Sequence, residues 1–158
     1  MRTILLLLGL LTVIGCVNKC PQRLQGVWVS DKEKTMEFMK KHTKLNEMQY
    51  AAFEQLFGNV EIEYMESKLK KKTLPHSIRN VRTDEITEID ENIEVEDLKV
   101  IGTAGDSIAV QGSVGLSSTY ITTLHLLDGD EYYWIYVADV FGSKSTLNIR
   151  EYFRKVQQ

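Results

Sequence analysis

The sequence contains little that would cross-link or interrupt a folded chain. Its 158 residues include two cysteines, Cys16 and Cys20, and two prolines, Pro21 and Pro75. So few cysteines exclude the disulfide-rich class of small secreted domains. So few prolines exclude proline-rich linkers and repeats. The fold must therefore be stabilised by a hydrophobic core.

Neither sign of charge dominates the composition. Lys and Arg together number 19 and Asp and Glu number 22, which gives a formal net charge of −3. A mild acidic excess favours solubility and argues against nucleic acid as a partner. The apolar run over residues 4–15 is too short for a transmembrane helix, which needs about 20 apolar residues.

Residues 1–15 have the order of a secretory signal peptide. Arg2 precedes the apolar run, the run contains no charge, and it ends at the small residue Gly15. A charged start, a short apolar core and a small residue at the exit are typical of a cleaved signal. Its removal leaves about 140 residues, which is the usual size of one domain.

The exit of this segment, residues 13–16 (Val-Ile-Gly-Cys), resembles the bacterial lipobox. The resemblance implies that the signal is cleaved before Cys16 and that this cysteine becomes the lipid-bearing first residue. Two or three acyl chains hold a protein durably at a membrane, whereas one gives marginal binding. Val17 replaces the Asp that retains enterobacterial lipoproteins in the inner membrane. The resemblance therefore implies a lipid anchor in the cell envelope, in the outer membrane facing the periplasm.

The lipobox resemblance also predicts the domain boundaries. A signal peptide over residues 1–15 precedes a lipidated tether over residues 16–23, and a single domain follows over residues 24–158. If Cys16 carries lipid, Cys20 has no cysteine partner in its own chain. Cys20 is then either a free thiol or part of an intermolecular bridge.

Two helices are predicted near the start of this domain. Ser30 followed by Glu33 matches a capping box, and apolar residues then recur at helical spacing over residues 31–42. Asn46 marks a second helix start, with a wide apolar face over residues 47–57. The hydrophobic period after these helices changes from 3.6 to 2.

The remainder of the domain is predicted to be β-structure. Residues 60–64 alternate between apolar and acidic side chains, which indicates a strand with one solvated face. The β-rich runs 120–127 and 131–137 are joined by residues 128–130 (Asp-Gly-Asp), a strong hairpin signal. About seven strands at short spacing predict a meander that closes into a barrel. The predicted fold is thus mostly β with two N-terminal helices (α+β), in an antiparallel up-and-down barrel of about seven or eight strands.

The beginning and the end of the domain resemble lipocalin-type barrels. Residues 24–28 contain a Gly-x-Trp motif, and residues 151–156 (Glu-Tyr-Phe-Arg-Lys-Val) end the last strand with basic residues. The segments GVWVSDKEKT, LFGNVEIEY and EYFRKV are similar to small uncharacterised lipocalin-like domains of exported bacterial proteins. The resemblance implies that Trp28 closes the barrel floor and that Arg154, or secondarily Arg150, packs over it. The two helices after Trp28 depart from the family pattern, and Trp28 as an ordinary core aromatic is the alternative.

The sequence contains no recognisable catalytic or metal-binding constellation. His42, His76 and His125 are far apart in sequence, so a zinc site has no support. No phosphate-binding loop, nucleophile elbow or calcium loop is present. We therefore predict a protein that is not an enzyme, with no catalytic residue, no metal and no cofactor.

The run over residues 132–137 carries large apolar groups on both of its faces. Tyr132, Trp134 and Tyr136 share one face of the predicted strand. A strand without a polar face is covered on both sides, here by the barrel interior and by the helices. The first functional hypothesis is a membrane-anchored module that binds a small apolar or amphipathic ligand in the envelope. Its predicted ligand-binding residues are Tyr120, Tyr132, Trp134 and Tyr136.

The second hypothesis is an envelope interaction or structural protein with a solid barrel and no ligand. Its motives are the unpaired Cys20 and the adjacent basic and acidic blocks, residues 68–82 and 84–97. The simpler interpretation of the blocks is that their opposite charges face each other across neighbouring strands. The predicted partners are therefore the membrane, a small apolar ligand or an envelope protein, and not nucleic acid.

Overall fold

A computed structural model describes residues 19–113, 120–137 and 149–156 of the chain. For residues 112, 113, 120 and 121 only the backbone is described. The two helices are α1 (Lys32–His42) and α2 (Glu47–Leu56). The strands are β1 (Gly26–Ser30), β2 (Val60–Tyr64), β3 (Lys68–Thr73), β4 (His76–Arg79), β5 (Ile86–Ile89), β6 (Asn92–Asp97), β7 (Lys99–Ala104), β8 (Ser107–Ser113), β9 (Tyr120–Asp128), β10 (Tyr132–Tyr136) and β11 (Arg150–Lys155).

The main sheet is antiparallel and almost closes on itself. Its nine strands follow the order β6-β3-β2-β1-β11-β10-β9-β8-β7, so the first strand pairs with the last. The two strands at the ends of this order, β6 and β7, are separated in sequence only by Leu98 and continue one another. The sheet is therefore a nearly closed barrel with about eight strand positions, one of which is occupied by β6 and β7 together. This confirms the predicted mostly-β fold with two helices.

Alternation along the strands places one apolar set inside the barrel. Trp28 in β1 lies opposite Ile62 in β2, and Tyr133 in β10 lies opposite Phe153 in β11. Residues directly opposite each other in antiparallel strands share one face of the sheet. The buried members of this interior cluster are Cys20, Leu24, Trp28, Tyr64, Leu98, Val100, Ile108, Val110, Leu127, Tyr133 and Phe153.

The start of α1 differs from the sequence prediction. Asp31 is the N-cap, because its Oδ1 accepts the backbone N–H of Lys34 at 2.9 Å. The predicted capping box at Ser30 is wrong, since the Ser30 hydroxyl bonds inside the barrel instead. The start of α2 is confirmed. Asn46 and Gln49 form a reciprocal capping box, which satisfies two N-terminal amide groups that would otherwise lack partners.

A second hydrophobic cluster connects the helices to one end of the barrel, here called the helix end. Met36 and Met39 of α1 and Phe53 of α2 are buried against Ile149, which precedes β11. Val137, which follows β10, packs on the same cluster. The helices therefore cover the β10–β11 side of the helix end. Neither described helix is long and apolar enough to cross a bilayer.

The opposite end of the barrel, here called the floor end, is closed by residues that were predicted to be tether. Cys20 is 3% exposed and Leu24 is fully buried. The backbone N–H of Cys20 donates to the carbonyl of Glu66 at 3.0 Å. The predicted tether over residues 16–23 is therefore too long, because the chain joins the folded domain by Cys20. Cys16 lies outside the described residues.

The basic and acidic blocks face each other across strand pairs. Pairing of β3 with β6 places Lys71 opposite Glu94, and beside the β4–β5 turn Nη1 of Arg79 lies 3.4 Å from Oδ1 of Asp84. The Nζ of Lys72 is 2.7 Å from the Oε2 of Glu91. This confirms the simpler interpretation of the blocks. Such exposed pairs contribute only about 0.2–1 kcal/mol each.

Candidate functional site

The floor of the barrel is organised around Trp28, which is fully buried. Its indole N–H donates to the carbonyl of Leu24 at 2.7 Å, and the ring meets the edge of Tyr133 at 4.9 Å between centroids. The ammonium of Lys155 lies 5.1 Å from the centre of the Trp28 ring. Gly26 leaves room for this lysine, because a Cβ there would approach the Lys155 side chain to 3.3 Å. Trp28 therefore plugs the floor end of the barrel.

The cation over Trp28 differs from the predicted one. Lys155 lies opposite Trp28 in the register, whereas Arg154 lies opposite Val29 and faces the outside. The Arg154 Nε is 3.8 Å from Oδ2 of Asp31, and its side chain is 57% exposed. The placement of Arg154 over the floor tryptophan is wrong because neighbouring residues of a strand point to opposite faces. The secondary candidate, Arg150, is four residues before Arg154 in the same strand and therefore also faces outward.

The predicted ligand wall lies on the outside of the barrel. Tyr132, Trp134 and Tyr136 alternate with the interior residue Tyr133, and Tyr136 is 53% exposed. The guanidinium of Arg150 stacks 3.8 Å from the centre of the Trp134 ring. The prediction that both faces of this strand are covered is wrong, because its outer face stays partly exposed, and these three residues do not line the interior. The side chain of Tyr120, the fourth predicted wall residue, lies outside the described residues.

A hydrogen-bonded cluster of Tyr64, His125 and Tyr133 is buried in the apolar interior. The Tyr64 hydroxyl lies 2.7 Å from Nε2 of His125 and 3.2 Å from the Tyr133 hydroxyl. Burial lowers the pKa of His125 to about 4, so the ring is neutral near pH 7. Nδ1 lies 3.4 Å from the Thr123 carbonyl, which favours the tautomer with the proton on Nδ1 and with Nε2 accepting from Tyr64. Burial also raises the pKa of both tyrosines, so the cluster stays uncharged.

At the helix end the interior wall becomes polar. The Ser30 hydroxyl donates to Oε1 of Glu151 at 2.6 Å and accepts the backbone N–H of Gly58 at 2.9 Å. Burial raises the pKa of Glu151 to about 7, an effect opposed by the Ser30 hydrogen bond and by the charge of Lys71. Glu151 lies opposite Ile135 and therefore shares the interior face of the sheet. A carboxyl group is thus held inside the barrel, where it titrates near neutral pH.

Lys71 and Glu94 also share this interior face at the helix end. Lys71 lies opposite both Ile62 and Glu94, and its Nζ is 3.9 Å from Oε2 of Glu94. The two side chains are 45% and 56% exposed, although they have the interior phase of their strands. Solvent therefore reaches the interior face at the helix end, in contrast to the filled floor. This group was not predicted from the sequence. It could have been noticed from Lys71, a charged residue two positions after Leu69 and therefore on the same face of the strand as that apolar residue.

The cavities formed by the described residues include one at the floor end and one beside α1. One of about 1020 Å³ lies at the floor end, and its lining includes Gly26, Asp130, Arg154 and Lys155. The other, of about 180 Å³, runs along α1 beside Phe38. Neither involves the interior charged residues at the helix end. Among the described residues no group of three His, Cys, Asp or Glu side chains is placed to hold a metal ion.

No family model, no curated protein and no solved structure matches this chain.

Cys20 is expected to react very slowly with thiol reagents in the folded protein. Its side chain is buried, and burial raises the pKa of the thiol to about 11, with a small opposing effect from Lys155. Because the thiolate is the reactive form, alkylation at pH 8 should be at least tenfold slower than for an unfolded chain. Iodoacetamide labelling followed by mass spectrometry, with and without concentrated urea, measures this. Equal rates in the two conditions would show that Cys20 is available for an intermolecular bridge.

Proposed function

We propose that this protein is a lipid-anchored component of the cell envelope whose barrel binds a small amphipathic molecule at the helix end. The anchor is supported by the lipobox-like residues 13–16. The binding site is supported by one observation above the others. Aromatic side chains fill the interior at the floor end. At the helix end, Lys71 and Glu94 lie on the interior face of their strands and remain accessible to solvent.

The chemistry of this wall favours an amphipathic ligand over a purely apolar one. Ile62 and Ile135 are half-buried apolar residues, and each lies directly opposite a charged residue, Lys71 and Glu151 respectively. A purely apolar ligand would remove water from these polar groups and offer them no new hydrogen bond, which is costly. A molecule with an apolar body and one polar group satisfies both surfaces. Binding of this kind requires no reaction step, so we propose a binding protein and not an enzyme.

The test is a titration of the lipidated protein, purified from membranes, with fluorescent amphipathic probes. The probes share one short acyl chain and carry a cationic, an anionic or a neutral head group. Saturable binding of at least one probe is expected. Glu151→Gln and Lys71→Met should each weaken it roughly 10- to 100-fold, since loss of a charged hydrogen bond costs about 1.5–3 kcal/mol.

Trp134→Ala is the matched control, because it changes an aromatic residue on the outer face of the same barrel. This variant should keep the affinity of the unchanged protein. Absence of saturable binding for every probe would overturn the ligand-binding proposal. Equal loss in all three variants would place the effect in the fold and not in the helix-end site.

A protein-interaction function is the second candidate, and a specific surface favours it. The outer aromatic surface consists of Phe38, Tyr132, Trp134, Tyr136 and Arg150. Tyrosine, tryptophan and arginine are the residue types enriched in the energetic centres of protein interfaces. The two candidate functions predict opposite effects of two substitutions. Trp134→Ala should weaken cross-linking to an envelope protein and leave probe binding intact, whereas Glu151→Gln should have the reverse effect.

A further inference from the structure

The chain is firmly attached to the barrel within a few residues of the proposed lipid. The backbone N–H of Cys20 donates to the Glu66 carbonyl at 3.0 Å, and the Gln25 side-chain amide donates to the Cys20 carbonyl at 2.8 Å. Lys19 forms an ion pair with Glu66. Because Cys20 is also buried, this attachment belongs to the hydrophobic core of the floor end.

The attachment point is part of one continuous floor-end surface. Arg23, in the turn before β1, lies 2.7 Å from an Asp106 carboxylate oxygen and 3.5 Å from an Asp130 carboxylate oxygen. Asp106 belongs to the β7–β8 turn and Asp130 to the β9–β10 turn. The β2–β3 turn carries Glu66, the partner of Lys19. Three hairpin turns and the first turn of the domain therefore form a single outward-facing surface.

The sequence distance between the lipid site and this surface is very short. Only residues 17–19 separate Cys16 from Cys20. Four peptide steps reach at most about 14 Å even when fully extended. The head-group layer of one leaflet is about 5–8 Å thick, so a cysteine whose acyl chains are inserted lies close to the membrane surface. The barrel itself extends about 20 Å away from its floor.

From these lengths we infer that the floor end rests against the surface of the lipid bilayer and that the helix end points away from it. This inference depends on the lipid anchor of the proposed function. The surface carries paired ions of both signs, such as Arg23 with Asp106, so the contact depends on the anchor and not on anionic lipid. The interior charged residues at the helix end then open to the aqueous compartment, from which the ligand would enter.

The orientation is testable with one fluorophore at each end of the barrel. Ser67→Cys places a label on the β2–β3 turn at the floor end, and Glu54→Cys places one on exposed α2 at the helix end. Buried Cys20 should not compete for the label. The lipidated variants are incorporated into phosphatidylcholine vesicles that contain a lipid with a quencher on its head group. Several times more quenching is expected at residue 67 than at residue 54, with no dependence on salt.

A lengthened chain provides the control. Insertion of a flexible Gly/Ser segment of about 20 residues after Asn18 should bring the quenching at residue 67 close to that at residue 54. Equal quenching in the original chain, or stronger quenching at residue 54, would overturn the inferred orientation. The mass of Cys16 is measured on the same samples. An unmodified Cys16 would overturn the anchor and the orientation together, whereas a lipidated chain with equal quenching would overturn the orientation alone.

Discussion

Replacement of Trp28 by alanine should lower the free energy of unfolding by about 3–5 kcal/mol. The indole is fully buried and contacts Tyr133, so its removal leaves a cavity in a filled part of the core. The substitution also leaves the Leu24 carbonyl without its indole donor and exposes Lys155 to a void. Since a domain of this size is stabilised by about 5–15 kcal/mol, the loss is a large part of the total. Urea unfolding measures this loss of stability. It is followed by far-UV circular dichroism, because that signal reports the backbone and does not depend on the tryptophan that is removed.

The other tryptophan of the chain supplies the matched comparison. Trp134 is half-buried on the outer face, so Trp134→Ala should cost less than half as much as Trp28→Ala. Trp28→Phe keeps an aromatic ring but loses the hydrogen bond to Leu24, and an intermediate cost of about 1–3 kcal/mol is expected. This variant keeps the comparison possible if Trp28→Ala does not fold. Equal costs at the two tryptophans would contradict the role of Trp28 as the floor of the barrel.

The second large effect concerns pH, because two buried groups are shifted in opposite directions. Burial lowers the pKa of His125 from 6.5 to about 4. Between these values the unfolded chain binds a proton that the folded chain does not bind. The contribution of neutral His125 to the free energy of unfolding is therefore complete above pH 6.5 and is lost as the pH falls towards 4. A shift of this size corresponds to about 3 kcal/mol.

Glu151 has the opposite dependence. Burial raises its pKa from 4.5 to about 7. Between these values the folded chain keeps a proton that the unfolded chain releases. The contribution of Glu151 is therefore complete below pH 4.5 and is lost as the pH rises towards 7, again by about 3 kcal/mol. Between pH 4.5 and 6.5 the two groups change the stability in opposite directions as the pH changes, so each conceals the effect of the other.

Single substitutions should reveal the two opposed contributions. Relative to the unchanged protein, Glu151→Gln should become about 3 kcal/mol less stable on acidification from pH 7 to 4.5. His125→Gln should become more stable over the same interval by a similar amount. Urea midpoints of the three proteins at both pH values provide the measurement, and the shared surface carboxylates cancel in the differences. If both variants followed the pH dependence of the unchanged protein, these two residues would not titrate as their burial implies.

Local patterns in the sequence determined the elements of this fold. Asn46 begins α2 because its side chain satisfies a backbone amide three residues later, and Gly129 allows the predicted β9–β10 turn with a φ of 71°. Alternation over residues 60–64 specified β2. These features depend on neighbours within a few residues, so they can be read without the tertiary structure. Together they predicted a mostly-β barrel with two helices.

The location of the candidate site was decided only by the tertiary structure. Alternation shows that Tyr132 and Tyr133 face opposite ways, but not which of them faces inward, because both faces of β10 are apolar. Likewise, Arg154 and Lys155 are adjacent, and the register with β1 decides which of them reaches Trp28.

The same limit applies to the charged residues of the interior. Lys71, Glu94 and Glu151 come from distant segments, and barrel closure gives them one interior face. Strand register is set by pairing across the whole sheet, and a one-residue change of register reverses every side chain. The sequence alone therefore determined the period of each strand, and the closed sheet determined which residues form the inside.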